Sequence, residues 1–247
     1  MPHKGPHISI APDFVVNRIL RINLEDFAEW PESVRRLAIE IAEELFLVAY
    51  NPFVNADTVK ASVASRFERE VFALAHHYAN SISEGITLFW SAHEAQAAFR
   101  AELVDRLSDL LPADAIVARA SALVACATDA TDLRMELPLL VVEPSTPEQV
   151  TGLVKLANEM KFALVPRGGA SGMTGGAVPA RRRSVVVRMT RFSRIFPVDA
   201  ASRTMRLEVG VITQAAVDAA SRDGFLLTLD PASKTASTIG GNIAENS

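Results

Sequence analysis

A glycine-rich run is the part of this sequence whose residue types most directly suggest chemistry. Residues 165–179 read VPRGGASGMTGGAVP, and five of the nine positions from 168 to 176 are glycine. Glycine permits a positive φ angle and lets a ligand approach the backbone closely. Consecutive N–H groups can then form a concave nest for a phosphate, and Ser171 and Thr174 could add hydroxyl donors. We therefore expect an anion-binding loop, with a ligand-free surface loop as the alternative.

The run differs from two common phosphate-binding patterns. A P-loop ends in Gly-Lys-Ser/Thr, and no lysine follows these glycines. A Rossmann fingerprint opens a helix, whereas this run leads through Arg181, Arg182 and Arg183 into the strand-like SVVVRM. No aromatic residue interrupts the three arginines, so we interpret them as a solvated turn and not as a nucleic-acid patch.

A second glycine cluster lies downstream, where residues 230–244 read DPASKTASTIGGNIA. Gly240 and Gly241 precede a short predicted helix, whose first N–H groups would be free to bind a phosphate. Taken with the first run, this cluster predicts one extended ligand that is held at two places.

Four runs, in this order and spacing, resemble the FAD-binding domain of the FAD-linked oxidase family. They are VPRGGASGMTGGAVP, RMTRFSRIFPVD, LEVGV and DPASKTASTIGGNIAEN. Vanillyl-alcohol oxidase-like enzymes, glycolate oxidase flavoprotein subunits and D-lactate dehydrogenases share this PCMH-type domain. The resemblance extends from about Ala127 to Ser247. The preceding half resembles, without a shared chemical motif, the helical extension of some very large FAD and iron–sulfur oxidoreductases.

The resemblance implies which residues would contact FAD. The first loop would wrap the pyrophosphate, and the second cluster would line the flavin and its ribityl–phosphate chain. Arg167 could reach a phosphate or fasten the loop, and both interpretations stay open. The implied first-loop residues are Arg167, Gly168, Gly169, Ala170, Ser171 and Gly172, with Gly175 and Ala177 nearby. The implied residues of the second cluster are Pro231, Ser233, Thr238, Ile239, Gly240, Gly241 and Ile243.

Three positions depart from the family pattern. Ala170 stands where many relatives have Gly and covalent-flavin relatives have His, Gly176 where Gln is usual, and Val209 where Pro is usual. The lone cysteine, Cys126, lies in the apolar run LVACA, which indicates packing. We therefore expect FAD to be bound non-covalently. The histidines all precede the flavin half: His3, His7, His76, His77 and His93.

The resemblance also implies an activity for the longer parent protein. It would be a flavin-dependent oxidoreductase that oxidises a small 2-hydroxy acid, such as D-lactate or glycolate, by hydride transfer to flavin N5. Electrons would then leave to an iron–sulfur protein, a quinone or a cytochrome. The family's domain continues beyond Ser247 into a substrate-binding cap, so the catalytic residues stay unassigned. The alternatives are an inactive cofactor-binding or assembly module and an FAD electron-transfer subunit.

The hydrophobic pattern predicts an α+β protein with a helical extension over 1–127 and a truncated PCMH-type FAD-binding domain over 128–247. Apolar residues recur at helical spacing from Val34 to Val48 and again after Asp57, and Ser91–Glu94 has the form of a capping box that opens a third helix. Short strands and helices alternate further on. The predicted strands are 139–142, 162–165, 184–189, 204–209 and 225–229, with helices from Thr146 and over 212–221.

Composition excludes several classes of protein. The net charge of −4 argues against a nucleic-acid binder, and one cysteine excludes a disulfide framework or a multi-cysteine cluster. The adjacent His76 and His77 would point about 100° apart on a helix, so we expect no metal site. No leader or spanning segment is evident. We expect a cytoplasmic protein, which could associate with the inner face of the membrane.

Overall fold

The computed structural model describes residues 12–131 and 136–247 and combines helices with two small sheets, which confirms the predicted α+β class. His3, His7 and part of the predicted boundary segment lie outside these residues. The helices are α1 (Pro12–Leu20), α2 (Leu24–Ala28), α3 (Glu32–Tyr50), α4 (Ala56–Glu70), α5 (His76–Ser108), α6 (Ala120–Ala125), α7 (Pro147–Met160), α8 (Thr213–Arg222) and α9 (Ile239–Ala244). The strands are β1 (Ile116–Val117), β2 (Leu140–Val142), β3 (Ala163–Arg167), β4 (Ser184–Arg188), β5 (Ile195–Asp199) and β6 (Thr204–Leu207).

Contacts within the chain divide it into two compact units, Met1–Phe99 and Arg100–Ser247. The predicted boundary between residues 127 and 128 falls inside the second unit, because β1 and α6 belong to it. How far the cofactor domain extends toward the N-terminus therefore stays a prediction.

The first unit is helical, and α3 is at its centre. The apolar stripe that predicts this helix is buried from Val34 to Leu45, and Ile41 and Leu45 are fully enclosed. The helix α1 packs on α3, and Phe27 of α2 is buried in the same core. Burial of this stripe, more than intrinsic propensity, stabilises a helix of this kind.

The capping-box pattern predicts a third helix that begins at Ser91, but no helix begins there. The segment from Ser91 is the later part of α5, which runs without interruption from His76 to Ser108. The side chain of Glu94 pairs with Lys60 of α4 at 3.0 Å and does not cap a helix. The capping pattern was misleading because apolar residues with helical spacing lie on both sides of it, so the first turn of a new helix never forms.

The second unit is built on a four-stranded sheet with the order β1-β2-β4-β3. The strands β2, β4 and β3 are parallel, and Val186 lies between Val141 and Val165 in the register. The short β1 pairs antiparallel with β2. All three parallel strands therefore end at the same edge, where the first glycine loop begins.

The elements around the sheet follow the sequence closely, with three exceptions. Thr146 caps α7 as predicted, because its hydroxyl accepts a hydrogen bond from the Gln149 amide at 3.3 Å. The strands β1 and β5 were not predicted, and the predicted strand 225–229 is absent. The Phe225 amide instead donates to the Ala220 carbonyl at the end of α8, and Leu226 is 83% exposed.

Two helical glycines provide a matched test of these packing contacts. A Cβ on Gly85 would lie 2.7 Å from the Leu20 carbonyl oxygen, whereas a Cβ on Gly152 would meet only the end of the Leu110 side chain, at 3.1 Å. Alanine gains about 1 kcal/mol of helix propensity at either site, but overpacking against backbone costs about 1–3 kcal/mol. We expect Gly85→Ala to destabilise and Gly152→Ala to be neutral or stabilising by up to about 1 kcal/mol. Chemical denaturation would measure both changes, and equal effects would contradict the assigned contacts.

Candidate cofactor site

A cavity of about 370 Å³ lies where the two glycine clusters meet, at the carboxyl ends of β3 and β4. Both predicted clusters therefore contribute to one site. Its lining consists of Asp129, Pro166, Arg167, Gly168, Gly169, Ala170, Ser171, Gly172, Thr174, Gly176, Ala177, Met189, Val209, Ser233, Ser237, Thr238, Gly240, Gly241, Asn242, Ala244, Glu245 and Ser247.

Arg167 ends β3 and fastens the first loop. Its guanidinium donates to the carbonyl oxygens of Thr128 at 2.7 Å, Ala177 at 3.2 Å and Ala125 at 3.1 Å. Ala177 lies beyond the glycines, so one side chain holds both ends of the loop. Of the two roles left open by the sequence, this geometry favours fastening.

The backbone of the first loop offers a row of unused donors. Within residues 12–131 and 136–247, the amides of Gly168, Gly169, Ala170, Ser171 and Gly172 donate to no protein acceptor. Ala170 has a φ angle of 52°, and such a left-handed residue in a turn directs neighbouring N–H groups toward one side. These unused amides are available to an anion, and its binding to the main chain of the loop stays a prediction.

The second cluster does not offer the free N–H groups that its glycines predict. The Ile239 amide donates to the Val211 carbonyl at 2.9 Å, and the Gly240 amide donates to the Val209 carbonyl at 2.8 Å. The Gly241 amide donates to the Thr238 hydroxyl at 3.2 Å. The start of α9 is thus satisfied by the protein itself, so the cluster forms a wall of the cavity and not a second anion nest.

Close packing between the two clusters explains two of the glycines. A Cβ on Gly168 would overlap the Thr238 hydroxyl, and a Cβ on Gly169 would overlap the Ala236 carbonyl oxygen. Neither glycine has a positive φ angle; within the loop, Gly175 does, at 79°. At positions 168 and 169 the need for glycine is thus steric, and the expected freedom of φ is not used.

Two carboxylates also line the cavity. Glu245 accepts a hydrogen bond from the Thr174 hydroxyl at 2.8 Å and so joins α9 to the first loop. Desolvation acts to raise the pKa of Asp129, but hydrogen bonds from the hydroxyl and amide of Thr131, with the charge of Arg167, outweigh it and lower the pKa. Asp129 is therefore ionised at neutral pH.

Most of the implied cofactor residues line the cavity. Gly175, Pro231, Ile239 and Ile243 do not, and the Ile243 side chain is 76% exposed toward solvent. Sequence reasoning missed Asp129, Ser237, Asn242 and Glu245, among others. The last two belong to the run GGNIAEN on which the family resemblance rests, so they could have been found from that motif.

Residues 12–131 and 136–247 contain no group of three His, Cys, Asp or Glu side chains that could hold a metal ion. Among these residues, none of the helices is both long and apolar enough to cross a bilayer.

Much of the second unit is similar to a known family of domains. Residues 138–247 match the family described as FAD binding domain. FAD is the cofactor that this match indicates, in agreement with the unused donors of the first loop.

The relatives of this part of the chain are oxidoreductases. Glycolate oxidase subunit GlcD of Escherichia coli strain K12 is 37% identical over 109 residues, which are 44% of this chain and 22% of that protein. D-2-hydroxyglutarate dehydrogenase of Stutzerimonas stutzeri strain A1501 is 35% identical over 144 residues, which are 58% of this chain and 31% of that protein. The chain therefore spans less than a third of the length of these curated relatives.

Solved structures show the same fold. An alkyldihydroxyacetonephosphate synthase superposes with a TM-score of 0.54 at 27% identity, over 60% of this chain and 32% of the other. A p-cresol methylhydroxylase superposes with a TM-score of 0.52 at 22% identity, over 60% of this chain and 29% of the other. The PCMH-type FAD-binding fold is confirmed by these matches.

The positive φ angle of Ala170 makes a direct prediction. A left-handed conformation costs an alanine roughly 1–2 kcal/mol, whereas glycine adopts it freely and loses about 0.5–1 kcal/mol through a more flexible unfolded chain. We expect Ala170→Gly to raise the free energy of unfolding by about 0.5–1 kcal/mol. Ala180, exposed and without a positive φ angle, is the control, and Ala180→Gly should lower it. Denaturant titration would decide, and a lower stability of Ala170→Gly would show that the angle is wrong.

Proposed function

We propose that this chain holds the diphosphate of FAD in the first glycine loop of a flavin-dependent oxidoreductase. The observation that carries the proposal is the run of five consecutive amides, from Gly168 to Gly172, without a protein acceptor. Unpaired N–H groups are costly when they are withdrawn from water, and a bound diphosphate supplies the acceptors that they lack.

The two carboxylates in the cavity suit the sugar hydroxyls of FAD better than its phosphates. Asp129 and Glu245 repel a phosphate, but a carboxylate accepts hydrogen bonds well from hydroxyl groups. FAD carries hydroxyls on its ribityl chain and on its ribose. Glu245 itself lies against the first loop at Thr174, so a sugar hydroxyl of the cofactor would meet that carboxylate beside the diphosphate on the loop's amides. Apolar side chains of Met189 and Val209 also line the cavity and suit a flat ring.

The proposed reaction follows from the relatives. Their names include glycolate oxidase, D-lactate dehydrogenase and D-2-hydroxyglutarate dehydrogenase, so the substrate class proposed here is a small 2-hydroxy acid. When bound, the flavin would accept the hydride removed from the alcohol carbon of such an acid. The residues of this chain would orient the cofactor and exclude water from its diphosphate. The electron acceptor would be an iron–sulfur protein, a quinone or a cytochrome.

An assay of the full-length protein tests this function. D-lactate, glycolate and D-2-hydroxyglutarate would each be offered with an artificial electron acceptor, and flavin content would be measured separately. We expect turnover of at least one acid by flavin-loaded protein. Stoichiometric FAD without turnover of any 2-hydroxy acid would favour the alternative of an inactive binding or assembly module.

The close packing of the two clusters predicts how binding responds to mutation. Gly169→Ala keeps every amide but forces the first loop away from Ala236, so we expect FAD affinity to fall by at least about tenfold, or 1.4 kcal/mol. Gly152→Ala is the control, because Gly152 does not line the cavity and its Cβ would meet only the end of the Leu110 side chain, at 3.1 Å. Equilibrium dialysis with FAD measures both. Equal losses in the two variants would contradict a requirement for this packing.

We also expect FAD to be held without a covalent bond to this chain. Ala170 cannot form the link that histidine makes, and Cys126 is buried with a 3% exposed side chain in the core beside Val141 and Val186. Acid precipitation of the flavin-loaded protein should release the colour into the supernatant. Flavin retained in the pellet and mapped by mass spectrometry to a peptide within residues 1–247 would disprove this expectation.

A further inference from the structure

A buried polar cluster lies directly behind the second glycine cluster. Thr213, the first residue of α8, is fully buried, and Ser237 and Asn242 are each 5% exposed. The Thr213 hydroxyl lies 2.8 Å from the Ser237 hydroxyl and accepts a hydrogen bond from the Asn242 amide group at 2.7 Å. Ser237 and Asn242 line the cofactor cavity, whereas Thr213 does not. Thr213 therefore touches two cavity residues from behind.

The number of protons in this cluster allows two hydrogen-bond arrangements. The Thr213 hydroxyl has one proton, and its possible acceptors are the Ser237 carbonyl oxygen at 3.2 Å and the Ser237 hydroxyl oxygen at 2.8 Å. If Thr213 donates to the carbonyl, Ser237 must donate its own proton to Thr213. If Thr213 donates to the Ser237 hydroxyl, the proton of Ser237 is free for an acceptor in the cavity.

We propose that Thr213 is a positioning residue for FAD, which holds Asn242 in place and supports the Ser237 hydroxyl as a donor to an oxygen of the cofactor. The inference rests on the proposed binding of FAD in this cavity. A cofactor oxygen near Ser237 favours the second arrangement, because only there does the Ser237 hydroxyl donate to that oxygen while the Thr213 proton keeps an acceptor. Rotation of two hydroxyl groups is the whole change, so the cluster adapts to the cofactor without movement of the backbone.

The variant Thr213→Val tests the role of the Thr213 hydroxyl, because valine has nearly the same shape as threonine and lacks the hydroxyl. The Thr213 amide donates to the Ser237 carbonyl at 3.0 Å, and that main-chain contact remains in any variant. Thr213→Val removes the acceptor of Asn242 and the partner of Ser237. Thr213→Ser keeps the hydroxyl and removes only the methyl group. If Thr213 acted through packing alone, Thr213→Ser would bind FAD more weakly than Thr213→Val. The positioning role predicts that Thr213→Val binds FAD more weakly.

The experiment measures FAD affinity of the full-length protein by equilibrium dialysis, with Ser237→Ala and the Thr213→Val/Ser237→Ala double variant included. We expect about a tenfold loss for Thr213→Val, less than about threefold for Thr213→Ser, a loss for Ser237→Ala, and a loss in the double variant that is smaller than the product of the two single losses. Equal losses in the valine and serine variants, or wild-type affinity in Ser237→Ala, would overturn the inference. The serine comparison and Ser237→Ala decide the matter even if Thr213→Val does not fold. A wild-type protein that binds no FAD would instead refute the proposed function.

Discussion

The close approach of two backbone segments is the constraint on which the cofactor site depends. Gly168 and Gly169 lie so near Thr238 and Ala236 that neither position has room for a Cβ atom. Segments far apart in sequence therefore meet at the main chain of Ala236 and the side chain of Thr238, and peptide groups of the first loop form part of the cavity wall. Such a wall has few rotamers to order when a ligand binds, which keeps the entropic cost of binding low.

The two segments differ in whether their backbone amides are hydrogen-bonded within the protein. The amides of the second cluster donate hydrogen bonds to the carbonyls of Val209 and Val211. The cluster is therefore a rigid support for the strand-to-helix connection before α8. The five amides of the first loop from Gly168 to Gly172 donate to no protein acceptor among the described residues, and the guanidinium of Arg167 holds the loop in shape. An arginine with three carbonyl partners is a strong fastening, since a charge-assisted hydrogen bond is roughly twice as strong as a neutral one.

Much of this arrangement could be predicted from the sequence, because local patterns carry it. The stripe of α3, the Thr146 cap and the positions of β2, β3, β4 and β6 follow from periodicity and turn chemistry, and the first loop was found from its glycines. The state of the amides in the second cluster could not be predicted, since their acceptors on Val209 and Val211 come from a distant segment. The sequence did not predict the uninterrupted α5 for a related reason, since Glu94 pairs with Lys60 of the distant α4 and does not cap a helix that begins at Ser91.

The two edges of the four-stranded sheet differ from its interior in a way that affects how the molecule can be handled. One edge is β1, which is only two residues long, and the other is β3, which contains the exposed Pro166. Short strands and prolines at an edge discourage a sheet from pairing with another copy. The family match begins at residue 138, so a fragment trimmed to that residue would lose β1 and uncover the Val-rich β2. A stable fragment of this unit must start before Ile116, because without β1 the edge of β2 is open to pairing with a strand of a neighbouring molecule.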